Sequence, residues 1–179
     1  MSGTAAARPA ARLSLDRLSV VDFDAMWRIH ADPLTNQFNP AGPLTSRIDA
    51  QRQFGEWLGH WHEHGFGYWT VRDGDGIVGF CGIRFSRWND DRLGERTVLN
   101  LSYRFTPSAW GKGYATEAAT AAVDLWRAEH AAHPLIAYTT PGNIGSQRTA
   151  LRVGLERRPD LDRVTGEALG DDVVFALGW

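Results

Sequence analysis

Several features that mark large classes of protein are missing from this sequence. Its 179 residues include one cysteine, Cys81, so the chain alone can form neither an internal disulfide nor a cysteine-based zinc site. No run of about 18 apolar residues is present, and the Ala-rich start MSGTAAARPAAR lacks the apolar stretch of a signal peptide. Neither sign of charge dominates, because 19 Lys and Arg oppose 21 Asp and Glu, a formal net charge of -2. We therefore expect a cytoplasmic protein that binds neither membranes nor nucleic acid.

The composition is that of one globular domain with a high content of tryptophan. Hydrophobic residues make up 43% of the chain and the mean hydropathy is -0.33, which argues against a disordered chain. At about 100 to 200 residues per domain, the length predicts a single domain over residues 13–179, preceded by a flexible tail over residues 1–12. The eight tryptophans could fill a core, line a pocket or cover part of a homodimer interface.

Hydrophobic periodicity predicts helices and strands without an internal repeat or a linker. The expected order begins with a strand at 13–18, a helix at 22–30, a loop at 33–45, a helix at 46–64 and a hairpin around 73–76. A polar loop at 86–96, a strand at 97–105, a long helix at 111–132, a strand at 134–140, a helix at 143–153 and a last strand at 171–177 follow. This order is typical of a mixed α/β domain.

The segment from Thr106 to Ala118 joins a strand to a helix through a Gly-x-Gly turn. The first turn of a helix presents main-chain N–H groups at the positive end of the helix dipole, which suits a phosphate group. Two phosphate motifs do not fit. A P-loop needs Ser or Thr where Gly113 follows Lys112, and a dinucleotide fingerprint needs a small residue where Thr116 stands. A tight turn without a ligand is the other interpretation of the two glycines.

The same segment, extended back to Tyr103, reads Tyr-x-Phe-Thr-Pro-x-x-Trp-Gly-Lys-Gly-Tyr-Ala-Thr-Glu-Ala. This pattern resembles the acyl-CoA-binding motif of the GNAT acetyltransferases, and it is similar to the RimJ/RimL-type branch. About 30 residues later, Asn143-x-x-Ser146 and the run Leu151-Arg152-Val153-Gly154-Leu155 resemble the second half of the family pattern, in which a helix ends in Leu-Gly-Phe or a similar sequence. The resemblance runs from about Leu13 to Leu177.

The resemblance implies an α/β (α+β) GNAT fold, a mostly antiparallel sheet of about seven strands flanked by about four helices. It also implies acetyl-CoA as cofactor, with its pantetheine arm entering where the fourth strand (96–105) splays from the fifth (134–140). The pyrophosphate would lie on main-chain N–H groups of residues 110–116, although Lys112 could equally be a plain surface lysine. The implied cofactor-binding residues are Arg104, Phe105, Trp110, Gly111, Lys112, Gly113, Tyr114, Ala115, Thr116, Asn143 and Ser146.

Acetyl transfer to an amine requires a neutral amine, a stabilised oxyanion and a proton for the departing thiolate. From the resemblance, Ser146 is the proposed acid, and its alternative role is a helix hydroxyl bonded to the backbone. A main-chain N–H near Tyr103 or Arg104 would stabilise the oxyanion. Where relatives often carry a Glu that serves as base, this sequence has Asn100.

An amide cannot accept the proton, so Asn100 affects which amines can react. An amine with a pKa near 10.4 needs roughly 4.6 kcal/mol to become neutral at pH 7, whereas an α-amine near 7.7 to 8.0 needs roughly 1 kcal/mol. The asparagine therefore favours an α-amine or another weakly basic acceptor, unless His30, Asp90 or Glu95 supplies the base.

The expected function is acetyl-CoA-dependent N-acetylation of a primary amine, on a peptide or a small molecule, by direct attack in a ternary complex. The alternative is an acyl-CoA-binding module with little catalysis.

Other chemically suggestive residues have simpler interpretations. His60, His62, His64 and Glu63 resemble a metal cluster, but His62 points away from the other two on a helix, so we expect a solvated helix end and no metal site. Cys81 has no adjacent histidine and is expected to be a buried structural thiol.

The aromatic side chains divide by spacing. Trp57, Trp61 and Trp69 have the spacing of core residues. Trp27, Trp88 and Phe38 lie in segments that would flank an acceptor cleft.

Overall fold

A seven-stranded mixed sheet forms the centre of the protein, with the strand order β1-β2-β3-β4-β5-β7-β6. The computed structural model describes residues 12–74, 76–90, 94–162 and 171–179. The strands are β1 (Ser14–Arg17), β2 (Tyr68–Arg72), β3 (Ile77–Asp90), β4 (Gly94–Phe105), β5 (Leu135–Thr139), β6 (Glu156–Arg157) and β7 (Val173–Leu177). Neighbouring strands are antiparallel except β4 and β5, which are parallel. The predicted fold class is confirmed.

Four α-helices flank this sheet within the described residues: α1 (Phe23–Ala31), α2 (Arg47–His64), α3 (Tyr114–Leu125) and α4 (Ile144–Arg152). The start of α2 is as predicted, because the Ser46 side chain accepts a hydrogen bond from the main chain of Asp49 at 3.2 Å. The predicted long helix at 111–132 was wrong at both ends. It begins only at Tyr114, after two glycines in the left-handed conformation, and its last part, Trp126–His130, is a π-helical turn.

The polar loop predicted at 86–96 was also wrong, because β3 and β4 continue as one long hairpin. Their register is unbroken from the Gly79–Phe105 pair to the Asp90–Gly94 pair. Main-chain pairing tolerates polar side chains when one face of the hairpin meets solvent, so charge alone did not mark a break. Trp88 lies in this extension and is buried against Val98 and Ile136. Residues 91–93 at its tip and Asp75 in the earlier hairpin turn are outside the described residues.

The two faces of β4 contact different helices, because side chains alternate along a strand. On one face, Arg104 hydrogen-bonds Asn36 after α1. On the other face, Tyr103 hydrogen-bonds Ser146 in α4. Cys81, the register partner of Tyr103, is fully buried, and burial raises the pKa of its thiol, as expected for a structural cysteine.

Most of the tryptophan side chains lie in the core. The five buried tryptophans, which include the three predicted from their spacing, are Trp57, Trp61, Trp69, Trp88 and Trp126. Trp110 is 45% exposed. Since the core uses most of these side chains, the tryptophan content no longer argues for the predicted homodimer interface. In the part of the chain described, no helix combines the length and the apolar character needed to cross a membrane.

His60 does not lie at a solvated helix end as predicted. It is buried where α2 packs on the sheet. Its Nε2 accepts a hydrogen bond from the main-chain N–H of Phe85 at 3.0 Å, so Nδ1 carries the proton and donates to the carbonyl of Phe66 at 2.8 Å. Both ring nitrogens are therefore occupied by the backbone and neither can bind a metal. Burial, mainly, lowers the pKa of His60 from 6.5 to about 4.

We predict that His60→Ala lowers the free energy of unfolding at pH 7.5 by about 1 to 3 kcal/mol for each main-chain group left without a partner. The exposed His62 provides the control, and His62→Ala should change stability by less than about 0.5 kcal/mol. Urea denaturation measures both.

The lowered pKa of His60 predicts that stability depends on pH. Unfolded His60 takes up a proton near pH 6.5 but folded His60 only near pH 4, so stability is full above 6.5 and falls as the pH decreases toward 4. His60→Ala should lose less stability than the wild type over this interval. Parallel stability–pH curves for the two proteins would contradict this assignment.

Candidate active site

The sheet opens between β4 and β5. These strands pair only at Leu99 with Leu135 and at Asn100 with Ile136, whereas β3 pairs with β4 along its whole length. From Leu101 to Phe105, no described residue of β5 pairs with β4. The main-chain groups of β4 that point away from β3 therefore face an opening and are available for hydrogen bonds. The opening predicted between the fourth and fifth strands is thus present.

A glycine turn forms one border of this opening. After β4, a short 3-10 turn leads to Trp110, whose indole Nε1 donates to the carbonyl of Phe105 at 3.0 Å. Gly111 and Gly113 have φ values of 74° and 80°, a conformation that favours glycine over residues with a Cβ. The turn delivers the chain into α3, whose first residues, Tyr114 to Thr116, have N–H groups with no preceding helical carbonyl. The arrangement can hold an anion such as a phosphate group.

Arg12, the last residue of the predicted tail, reaches this glycine turn. Its side chain donates to the Glu117 carboxylate and to the carbonyl of Lys112, each at 2.9 Å. Residues 1–11 lie outside the described residues. The sequence carries no signal for these contacts, because Arg12 and Glu117 are 105 positions apart.

The start of α4 forms the other border. Asn143 caps this helix, its side-chain oxygen accepting from the main-chain N–H of Ser146 at 3.1 Å. The Tyr103 hydroxyl donates to the carbonyl of Ser146 at 2.8 Å, and the two hydroxyl oxygens are 3.1 Å apart. Burial raises the pKa of Tyr103 to about 12, so its phenol stays protonated. The sequence pointed to the main chain of Tyr103, whereas the structure adds its side chain.

Asn100 lies where the strands begin to part, on the face opposite Tyr103. Its side-chain NH₂ donates to the Tyr68 hydroxyl at 3.2 Å. Burial raises the pKa of Tyr68, so this phenol is neutral at pH 7 and is not a base. The Asn100 side-chain oxygen has no donor among the described residues, and it can accept a hydrogen bond from an amine or from water.

Two of the three alternative bases can be located fully. His30 is buried close to Arg104, and burial, with a smaller contribution from that arginine, lowers the pKa of His30 to about 3, which makes it a weak base. Glu95 pairs with Arg87, five residues before Asn100, or about 16 Å along the strand. The side chain of Asp90 is outside the described part of the chain.

Only one of the three aromatic residues predicted to flank an acceptor cleft lies beside the opening. The loop that carries Phe38 reaches the turn between β5 and α4, where the Thr140 hydroxyl donates to the Phe38 carbonyl at 3.3 Å. Trp27 donates to the carbonyl of Leu44 near the end of the same loop, and Trp88 belongs to the separate buried cluster.

Comparison with known proteins gives a family match and several matches of fold. A family model described as "Acetyltransferase (GNAT) domain" matches residues 12–156. The chain is 30% identical over 146 residues to an uncharacterized N-acetyltransferase of Bacillus subtilis (strain 168), YnaD, covering 82% of this chain and 80% of that protein.

Two solved structures illustrate the similarity of fold. The acetyltransferase from Agrobacterium tumefaciens str. C58 superposes with a TM-score of 0.76 at 24% identity, covering 99% of this chain and 96% of that one. The spermidine N-acetyltransferase from Vibrio cholerae, in complex with CoA and spermine, gives a TM-score of 0.71 at 14% identity, covering 93% and 95% of the two chains.

Proposed function

This chain belongs to the GNAT acetyltransferase domain family, and we propose that it is an N-acetyltransferase that moves an acetyl group from acetyl-CoA to a primary amine. The observation that carries the proposal is the opening between β4 and β5, bordered by a glycine turn on one side and by the Tyr103–Ser146 pair on the other. We further propose a cytoplasmic enzyme of the RimJ/RimL-type branch, as the motif from Tyr103 to Ala118 suggests.

The groups bordering the opening suit acetyl-CoA. The N–H groups of the glycine turn and of the start of α3 would hold its pyrophosphate, with the exposed Lys112 and the indole of Trp110 alongside. The free edge of β4 at Arg104 and Phe105 would hydrogen-bond the pantetheine amides as an added strand would. The Asn143 side-chain NH₂ has no described partner and can donate to the same arm.

The reaction needs a hydroxyl near the sulfur and a neutral amine on the other face of β4. Acetyl-CoA supplies an acetyl group activated as a thioester. The amine nitrogen attacks the thioester carbonyl carbon, a C–N bond replaces the C–S bond, and a proton lost by nitrogen ends on the thiol. The Ser146 hydroxyl would donate to the departing sulfur. The Tyr103 hydroxyl, whose proton is bonded to the Ser146 carbonyl, would hold the serine in place. A free N–H near Tyr103 or Arg104 would stabilise the oxyanion.

The nature of the amine follows from what surrounds Asn100. This side chain and Tyr68 are polar but neutral groups that orient an amine without taking its proton. His30 is too weak a base to replace a carboxylate. The site therefore favours an amine that reaches the neutral form with little cost, such as an α-amine.

Asn100 also favours a second candidate function, an acyl-CoA-binding module with little catalysis, because its amide cannot accept the proton of the amine. The appearance of free thiol from acetyl-CoA in the presence of a panel of amines separates the two functions. Thiol release with any amine supports the enzyme, whereas coenzyme A binding without turnover supports the module.

We predict that Gly111→Ala weakens coenzyme A binding at least fivefold, because a Cβ strains the left-handed turn that orients the N–H groups. Gly94 is a matched control, with the same φ of 74° and equally open surroundings at the far end of the β3–β4 hairpin. Gly94→Ala should cost similar stability but leave coenzyme A binding unchanged in titration calorimetry. Equal loss of binding in both variants would contradict the assignment of the turn.

We predict that Asn100→Glu raises kcat/KM for lysine-like amines by at least tenfold relative to α-amines, because a carboxylate at this position can accept the proton. Asn100→Gln, which stays neutral, should not. Thiol release is measured with substrates that offer only a lysine side-chain amine and with substrates that offer only a peptide α-amine, and the two kcat/KM values give the ratio. A wild-type preference for lysine side chains, with no effect of Asn100→Glu, would refute this account of the acceptor.

A further inference from the structure

We propose that the acceptor carries a carboxylate two or three bonds from its amine, as an amino acid does, and that Arg84 binds this carboxylate. The inference rests on the proposed function, since it concerns the acceptor side of the same site. It makes Arg84 a residue that determines which amines are used.

Arg84 is a shielded cation with few partners. Its side chain is 27% exposed, and its guanidinium carbon lies 5.6 Å from the centre of the Tyr68 ring. No hydrogen-bond acceptor for it exists among the described residues. Its one ion pair among the described residues is a long one, because the Glu56 carboxylate is 3.9 Å away and 59% exposed. A guanidinium has five N–H donors in a planar fork, and one so shielded is normally paired with a carboxylate or a phosphate.

The position of Arg84 matches a carboxylate close to the reacting amine. Arg84 and Asn100 are register partners on β3 and β4 and share the face that carries Tyr68. The Cβ atoms of directly opposite residues are about 4.5 to 5.5 Å apart. An amine held at Asn100 and Tyr68, where the strands part, would thus place a carboxylate two or three bonds away within reach of the guanidinium.

Arg104 is a second guanidinium on this face. Arg104 lies four residues after Asn100 on β4, about 13 Å from it along the strand. Its recorded partner is the neutral side chain of Asn36, and no described carboxylate forms an ion pair with it. Two cations on this face disfavour a polyamine, because its further ammonium groups would meet like charge.

Pairing with Arg84 also bears on the missing base. A carboxylate near an ammonium group stabilises the ammonium form, and a nearby cation destabilises it. When the guanidinium binds the carboxylate, its positive charge offsets the first effect. The pairing therefore lowers the pKa of the amine relative to that of the unpaired amino acid, at a site where neither His30 nor Glu95 can take its proton.

Thiol release from acetyl-CoA with the twenty amino acids and their carboxamides tests the proposal. The amide keeps the amine and the side chain but removes the negative charge. For the preferred side chain we expect kcat/KM to be at least tenfold higher for the acid than for the amide. Equal rates for acid and amide, or faster reaction with spermidine, would overturn the proposal.

Arg84→Met keeps most of the side-chain packing and removes the charge, so it should abolish the preference for the acid while coenzyme A binding is retained. Arg84→Lys should keep part of the preference. Arg87→Met is the control, because Arg87 is exposed and pairs with Glu95 at the far end of the hairpin. An unchanged preference in Arg84→Met would show that another group reads the carboxylate.

Binding separates failure of this inference from failure of the proposed function. If no amine releases thiol, the enzymatic function fails. Calorimetric titration of the same amino acids into the protein with coenzyme A then still tests Arg84. Binding that is lost in Arg84→Met but not in Arg87→Met supports the carboxylate site, and absence of binding to the wild type refutes it.

Discussion

The candidate site is arranged around the divergence of β4 from β5. Two parallel residue pairs hold the strands together at Leu99 and Asn100, and beyond them the edge of β4 has no described strand partner. Main-chain groups at such an edge must bond to water or to a ligand, because an unpaired buried amide costs free energy. Each helix that borders the opening follows one of the two diverging strands, α3 after β4 and α4 after β5.

The alternation of side chains along β4 assigns different roles to its two faces. Tyr103 points toward α4 and meets Ser146, on the side where a thiol would leave. Asn100 points toward α1 and α2, where it meets Tyr68 beside Arg84. One strand can therefore position a proton donor and an amine on opposite sides of an inserted thioester. The two groups of residues can change independently, which allows one fold to serve many acceptors.

Local patterns in the sequence were enough to find the glycine turn and the cap at Ser46, whereas the parting of the strands was implied by the family resemblance. Glycines, capping residues and hydrophobic periods act over a few residues, and so they can be read from the chain. The full length of the β3–β4 hairpin was missed, because its polar side chains resemble those of a loop.

The contacts that could not be predicted join residues far apart in the chain. Tyr103 and Ser146 are 43 positions apart, and Asn100 and Tyr68 are 32 apart. His60 was misassigned for the same reason, since its partners lie on β3 and before β2. The identity of each side chain was visible in the sequence, but its neighbours depend on the folding of the sheet and the helices.

In the proposed enzyme, the free edge of β4 and the turn after it form the acetyl-CoA site. Amide hydrogen exchange with and without coenzyme A measures this directly, because a bound ligand slows exchange at the N–H groups it covers. We expect protection of residues 101–105 and 110–116, with no change at residues 86–89 in the far half of the hairpin. Saturating coenzyme A without protection of residues 101–105 would contradict the account.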